Sequence, residues 1–313
     1  MSQAIVLTFT GERVIPGAVE PDLWNEHVSR YYFAREFAPN RCLLDIGCGA
    51  GYGTNLVGAF AKQSLGIDIS PETIQYAASR AENGVQFCVA SADALPVPDQ
   101  SFGLITAFEV IEHVSGWKTL ISEAARTLTA DGVFLVSTPN KVYYAETRQN
   151  AGPNPFHVHE FELMEFQSAL EKAFSYVVLF AQNHQEALAF AGENSTSSLG
   201  GYLSTPPVLA DSHFFLAICS KKPIVVSAFM YAVSSGNLLR ERETYIDLLK
   251  QEVSSLINEL NSLRAELVSV RDQLKKVMAD AAKLQGEKRA AAQSKWLRLG
   301  RWLGLGPNLR EKA

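Results

Sequence analysis

The segment that most constrains this chain is Leu43-Leu44-Asp45-Ile46-Gly47-Cys48-Gly49-Ala50-Gly51, an apolar run that passes into alternating glycines. The run reads as a strand and the glycines as a turn opening a helix. Backbone can approach a ligand closely in such a turn, where helix N–H groups point outward. From Cys42 to Ser137 short apolar runs alternate with helical segments, the pattern of a parallel sheet with crossover helices. Strands are expected at 42–46, 64–68, 85–89, 102–108 and 132–138. Tyr176–Phe180 and Phe214–Cys219 would add an antiparallel pair at one edge, separated by a Gly/Ser/Thr-rich loop at 192–204. The expected fold is α/β, a doubly wound and mostly parallel seven-stranded sheet.

The glycine loop is selective about its ligand. A dinucleotide fingerprint would want a third glycine at position 52, where this chain has Tyr52, and an apolar residue where it has Asp45, so NAD is disfavoured. No phosphate-binding G-x-x-x-x-G-K-[ST] segment occurs, which disfavours P-loop ATP hydrolysis. The second strand ends in Gly66-Ile67-Asp68, which puts a carboxylate at the carboxyl edge of the neighbouring strand, able to accept both hydrogen bonds of a ribose diol. After the third strand, Ala92-Asp93-Ala94-Leu95-Pro96 offers Asp93 as an acceptor for an adenine amino group, and the fourth strand leads into Phe108-Glu109-Val110-Ile111-Glu112-His113.

Taken in order, these four features resemble the class I S-adenosylmethionine-dependent methyltransferases, of the type 11 and ubiquinone-pathway-like group. Over residues 9–220 the likeness extends to Phe9-Thr10-Gly11-Glu12-Arg13, His27-x-x-Arg30-Tyr31, Gly51-Tyr52-Gly53-Thr54, Ser137-Thr138-Pro139-Asn140 and Asn154-Pro155-Phe156-His157. These segments look like bacterial members associated with surface-polysaccharide synthesis. The resemblance implies a Rossmann-like methyltransferase fold, S-adenosyl-L-methionine as cofactor, and a glycan acceptor. By the same resemblance Gly47, Gly49 and Gly51 would shape the loop beneath the methionine part, Asp45 would support its amino group, Asp68 the ribose, and Asp93 with Ala94 the adenine. Phe108 would lie near the cofactor. His27, Arg30 and Tyr31 would form a flap over the methionine carboxylate; the alternative is an amphipathic helix with an exposed Arg30.

Methyl transfer from a sulfonium is an in-line displacement in which positioning supplies most of the rate, and a hydroxyl acceptor also profits from a base. His113 and Glu112 are the catalytic candidates, with a helix-cap or structural histidine as the alternative for His113. Glu109, Glu112, His113 and either His157 or His159 also resemble the metal-binding pattern of small-RNA and ubiquinone-pathway O-methyltransferases, which implies a divalent metal; a hydrogen-bonded acid and histidine network is the other reading. A small-molecule or quinone-type acceptor is the runner-up to a glycan. A non-catalytic scaffold in a glycan-assembly complex is a third hypothesis.

Residues 237–285 contain no Gly or Pro, and Ile246, Leu249, Val253, Leu256, Leu260, Leu263, Leu267, Val270, Leu274, Val277, Ala281 and Leu284 follow a three-four spacing. That seam predicts a coiled coil rather than a helix packed on the domain. Glu259 with Arg264, and Glu266 with Arg271, would attract across a parallel pair, so the expected partner is a second copy, as a dimer or a parallel trimer. The expected boundaries are a catalytic domain at 1–220, a linker at 221–240, the coil at 241–288 and a basic amphipathic tail at 289–313. The chain carries 28 Lys+Arg against 33 Asp+Glu, a balance that gives no reason to expect a nucleic acid partner. The tail is different: residues 287–313 hold seven basic and two acidic residues, suited to an anionic membrane surface, with a solvated or protein-bound tail as the alternative. Scattered Cys42, Cys48, Cys88 and Cys219, with no secretory signal, lead to the expectation of a cytoplasmic protein, peripheral at the inner face of the membrane where the tail makes contact.

Overall fold

The computed structural model describes residues 7, 13–147, 154–184, 208–226, 229–231 and 238–304. Its contacts divide the chain into two units, Met1–Val233 and Ser234–Ala313. The segment Phe9 to Glu12 and the loop at 192–204 lie outside the described residues.

The first unit runs α1 (Pro21–Arg35), β1 (Cys42–Ile46), α2 (Tyr52–Gly58), β2 (Gln63–Asp68), α3 (Pro71–Ala78), β3 (Val85–Val89) and β4 (Phe102–Phe108). A single 3-10 turn at Ile111–His113 precedes α4 (Trp117–Thr127), β5 (Leu128–Pro139), α5 (Lys141–Thr147), α6 (Leu163–Glu171), β6 (Tyr176–Gln182) and β7 (Phe214–Ser220). The strands form one sheet in the order β3-β2-β1-β4-β5-β7-β6. β7 runs antiparallel to both β5 and β6, so the late hairpin closes one edge of an otherwise parallel sheet.

The central strands are apolar on both faces because helices cover both. Leu43, Leu104, Val133 and Leu135 face one way, against Tyr31, Phe33 and Ala34 of α1 and Val57 of α2. The alternate residues Leu44, Ile105, Phe134 and Val136 face the other way, against Leu120 and Ala124 of α4 and Phe166 and Leu170 of α6. This period-two division lets one sheet support two buried layers. β1 pairs with β2 on one side and β4 on the other, so the strand order reverses between β1 and β4. The carboxyl end of that switch point is the usual ligand position in such sheets.

The region expected as a linker begins on the first unit. Ile224 and Val226 pack on the α1 layer, the Phe229 ring lies 5.3 Å from Phe33, and Tyr231 stacks on Tyr32 at 5.0 Å. The second unit holds α7 (Leu238–Gln293), 56 residues long, and α8 (Lys295–Trp302). Leu249, Leu256, Leu260 and Leu263 of the seam are exposed on α7. No helix among the described residues is long and apolar enough to cross a membrane.

Candidate active site

The glycine loop leaves β1 with Gly47, Gly49 and Gly51 all at positive φ. At Gly47 a Cβ would also come within 2.4 Å of Val110, so the chain after β4 packs directly on this backbone. At Gly49 a Cβ would meet nothing within 4 Å, so the loop presents bare backbone toward open space. Asp68 is locked to that loop: the Gly49 N–H donates to Oδ2 at 3.2 Å and the Ser70 N–H to Oδ1 at 2.9 Å. Each oxygen keeps acceptor capacity beyond these single bonds, which is what a diol requires. Asp93 sits in the turn after β3, where Ser91 Oγ donates to it and the N–H of exposed Ala94 donates to the Ser91 carbonyl at 3.2 Å. Gly116 closes in from the other side, since a Cβ there would lie 2.6 Å from Asp93 Oδ2.

Asp45, expected to support an amino group, lies beneath the loop. Its carboxylate is wholly buried and takes Thr54 Oγ1 at 2.6 Å, Thr106 Oγ1 at 2.7 Å and the Tyr31 hydroxyl at 3.5 Å. Both oxygens are thus engaged by hydroxyls, and the group ties α1, α2 and β4 to β1. Burial raises its carboxyl to about 6 despite those three donors. Phe108, buried at the end of β4, meets the Tyr31 ring edge-on at 5.1 Å, and Tyr31 meets Tyr52 at 5.6 Å.

Arg30 is not the exposed residue of an amphipathic helix, for only 1% of its side chain is exposed. Its Nε donates to Gln182 Oε1 at 2.6 Å, its guanidinium lies over the Phe214 ring at 4.4 Å, and Nη2 approaches Glu109 Oε1 at 3.5 Å. Both Nη atoms are buried without a hydrogen-bond partner among the described residues. His27, one turn earlier on α1, has its proton affinity lowered well below the usual imidazole range by burial, with a smaller contribution from the Arg30 charge.

Glu109 stands at φ +54, a backbone conformation that few side-chain-bearing residues adopt. Ser137 holds it from both sides: its Oγ accepts from the Glu109 N–H at 3.1 Å and donates to Oε1 at 2.7 Å. Glu112 is 1% exposed, with Thr138 Oγ1 donating to Oε2 at 3.3 Å and Oε1 buried without a partner among the described residues. Burial, then repulsion from Glu109, pushes its carboxyl well above the ordinary range. The His113 Nδ1 lies 3.0 Å from the Phe156 carbonyl, which can only accept, so Nδ1 carries a hydrogen. That Nε2 is 3.9 Å from Glu112 Oε1.

The choice between the two later histidines is resolved by placement. Ligand atoms of Glu112, His113 and His157 lie within 4.8 Å of one another. His157 Nδ1 is 3.2 Å from Glu160 Oε1, and its ring stacks on Tyr144. His159 instead stacks on Trp117 and bonds Glu165 at 2.9 Å. Glu109, expected in the metal set, belongs to Ser137 and Arg30 and is not part of that trio. Thr54, Thr106, Ser137, Thr138 and Gln182 are site residues that sequence reasoning missed; of these only Thr54 and the Ser137-Thr138 pair lay within quoted segments.

Residues 44–136 match the family model described as a methyltransferase domain. The chain is 36% identical over 168 residues to a Mycolicibacterium smegmatis protein named probable S-adenosylmethionine-dependent methyltransferase, a match covering 53% of this chain and 65% of that protein. A ubiquinone biosynthesis O-methyltransferase of Bartonella quintana is 30% identical over 109 residues, covering 34% of this chain and 44% of that one. The crystal structure of the YcgJ protein from Bacillus subtilis shares 26% identity and a TM-score of 0.43, covering 51% of this chain and 71% of that chain. The chain thus spans less than two thirds of the curated relatives described. Residues 44–136 thus match a methyltransferase domain, and the first of these relatives is named for S-adenosylmethionine-dependent methyl transfer.

Proposed function

We propose that the chain transfers a methyl group from S-adenosylmethionine to a hydroxyl oxygen of a sugar or glycan precursor. The cofactor fits the residues present: open backbone at Gly49, an Asp68 carboxylate already oriented by two N–H groups, and Asp93 at the next loop. When bound it supplies an electrophilic methyl on a sulfonium. Asp68 would accept from the ribose and Asp93 from the adenine, while Arg30 lends its buried Nη1, which has no hydrogen-bond partner among the described residues, to an anionic group of cofactor or acceptor.

The observation that carries an oxygen acceptor is the contact of His113 Nδ1 with the Phe156 carbonyl. With Nδ1 fixed by the Phe156 carbonyl, Nε2 is the atom that takes the hydroxyl proton as the oxygen forms its bond to carbon. Glu112 Oε1 lies 3.9 Å from that nitrogen, and burial favours its neutral form, so it borders the proton site without supplying a full counter-charge. Half-exposed Phe156 beside it offers an apolar platform for a sugar ring. Incubation with methyl-labelled cofactor and fractionated cell-envelope precursors tests the reading; label should enter a glycan fraction and be lost in His113→Gln. Label entering only quinone or phenol fractions would move the acceptor to the small-molecule reading, which the Bartonella quintana relative favours. No cofactor binding by calorimetry would leave a scaffold.

The Glu112, His113 and His157 trio also fits a divalent ion, since both imidazoles carry an outer oxygen partner of the kind that orients metal-bound histidine. Such an ion would lower the pKa of an acceptor hydroxyl. Loss of turnover in chelator, restored by Mg²⁺ or a transition metal, would assign it; full activity in chelator would leave the hydrogen-bonded network. For the second unit, the proposal is a parallel homo-oligomer through the exposed α7 seam, a dimer in its simplest form, with the tail on an anionic membrane face.

A further inference from the structure

Beyond the methyltransfer site, three side chains from separate elements meet at the end of the late hairpin. Glu26 of α1, His184 just past β6 and His213 just before β7 each bring one ligand atom within 4.8 Å of the others. His184 Nε2 is 2.7 Å from Glu26 Oε1, and the His184 and His213 ring centroids are 5.8 Å apart. None of the three takes part in the proton transfer or the cofactor contacts described above.

The positions are held from outside the cluster. The His213 N–H donates to Asn183 Oδ1 at 2.9 Å, and its carbonyl accepts from the Asn140 N–H at 3.0 Å. The Asn140 amide in turn donates to the Ala210 and Ser212 carbonyls at 2.9 and 2.7 Å. The His213 ring is stacked on Tyr143 at 4.1 Å. On the other side, Gln182 of β6 donates to the Glu26 carbonyl at 2.9 Å and to Ser29 Oγ at 3.1 Å. Two ligands on a tetrahedral ion stand roughly 3.3 Å apart, and the three ligand atoms here already lie within 4.8 Å of one another.

Two imidazoles and one carboxylate are the donor set of a borderline divalent ion, whereas Mg²⁺ and Ca²⁺ prefer oxygen. We propose that Glu26, His184 and His213 form a second, transition-metal site of the zinc class, with solvent completing the coordination. Its ion clasps α1 to the β6–β7 edge. Arg30 lies one turn after Glu26 and bonds the same Gln182, so the clasp also fixes the helix that delivers Arg30 and Tyr31 to the cleft.

The test uses the full chain, stripped with a chelator and then titrated with ZnCl₂ by calorimetry and with CoCl₂ by visible absorption. His184→Ala and His213→Ala should each weaken one Zn²⁺ event at least tenfold and remove its Co²⁺ ligand-field band, with no such change in His157→Ala. Zn²⁺ should raise the melting temperature of the wild type more than that of either variant. His184 is largely exposed, so its variant serves if His213→Ala folds poorly, as judged by circular dichroism. Absence of Zn²⁺ binding to the wild type, or binding that survives both substitutions and disappears in His157→Ala, would overturn the proposal.

Discussion

Asp45→Asn isolates the cost of a buried charge beneath the glycine loop. The carboxyl is raised from its ordinary 3.8 to about 6, chiefly by burial. At roughly 1.4 kcal/mol per tenfold in proton affinity, this difference amounts to about 3 kcal/mol. The folded chain binds this proton more tightly than the unfolded chain, so the contribution is fully present below pH 3.8 and is lost as pH rises through about 6. An amide cannot ionise. It keeps one carbonyl acceptor for Thr54 or Thr106 and mismatches the other, which adds an offset that does not change with pH. The wild-type unfolding free energy minus that of Asp45→Asn should therefore fall by about 2.5 kcal/mol between pH 4 and pH 7.5. Urea unfolding followed by tryptophan fluorescence measures it, because Trp24 and Trp117 lie in the first unit while Trp296 and Trp302 are already 82% and 81% exposed. Glu112 titrates alike in both proteins and cancels. A difference that stays constant across the range would refute the assignment; one that rises would mean the hydroxyl bonds outweigh burial.

Asp68→Ala should weaken S-adenosylmethionine binding by about 1.5–3 kcal/mol, the loss of hydrogen bonds to a charged acceptor, with unchanged calorimetric affinity as the contrary result. Gly53→Ala would set a Cβ 2.1 Å from the Tyr31 ring; it should cost about 1–3 kcal/mol in urea unfolding, and a neutral effect would show that α1 moves away freely. For α7, a cysteine at Leu249 should crosslink to its equivalent in a second chain, and light scattering on the full chain should give an oligomer that Leu256→Glu with Leu263→Glu converts to monomer. A monomeric wild type would remove the coiled coil. The full chain should float with anionic liposomes and a chain ending at Gly286 should not; equal flotation would free the tail of any membrane role.

Strand positions were legible because a parallel strand covered on both faces can only be written as an apolar run. The exception is β5, which begins at Leu128 rather than near 132. Thr129 to Gly132 reads as a turn, yet the chain stays paired to β4 through a register irregularity between Phe102 and Leu104. The length of α7 was equally plain, since nothing from 237 to 285 breaks a helix. The two histidines at 157 and 159 were harder. Residues two apart in extended chain share a side, so spacing does not say which of them joins Glu112. Which one depends on Trp117 and Phe161, whose rings capture His159.

What the sequence could not express is how one residue type is divided by its surroundings. Asp45 and Asp68 both end strand-like runs and both look like ligand carboxylates. Asp45 lies one residue inside its strand's end, where Thr54 and Thr106 close over it, and becomes a tie within the core. Asp68 is the last residue of β2, where only backbone N–H groups reach it, and it stays at the edge. Arg30 follows the same logic in reverse. An arginine on an amphipathic helix is expected in water, but Gln182, Phe214 and Glu109 surround it with an acceptor, a ring face and a charge. Those partners lie 79 to 184 positions away in the chain and share no spacing with it. Burial then leaves Nη1 without an acceptor among the described residues and Nη2 with only the 3.5 Å ion pair to Glu109, a cost a folded chain keeps where something else can supply the missing bonds. An anionic group entering the cleft would do so, making Arg30 the residue through which ligand binding and the seating of α1 are one event.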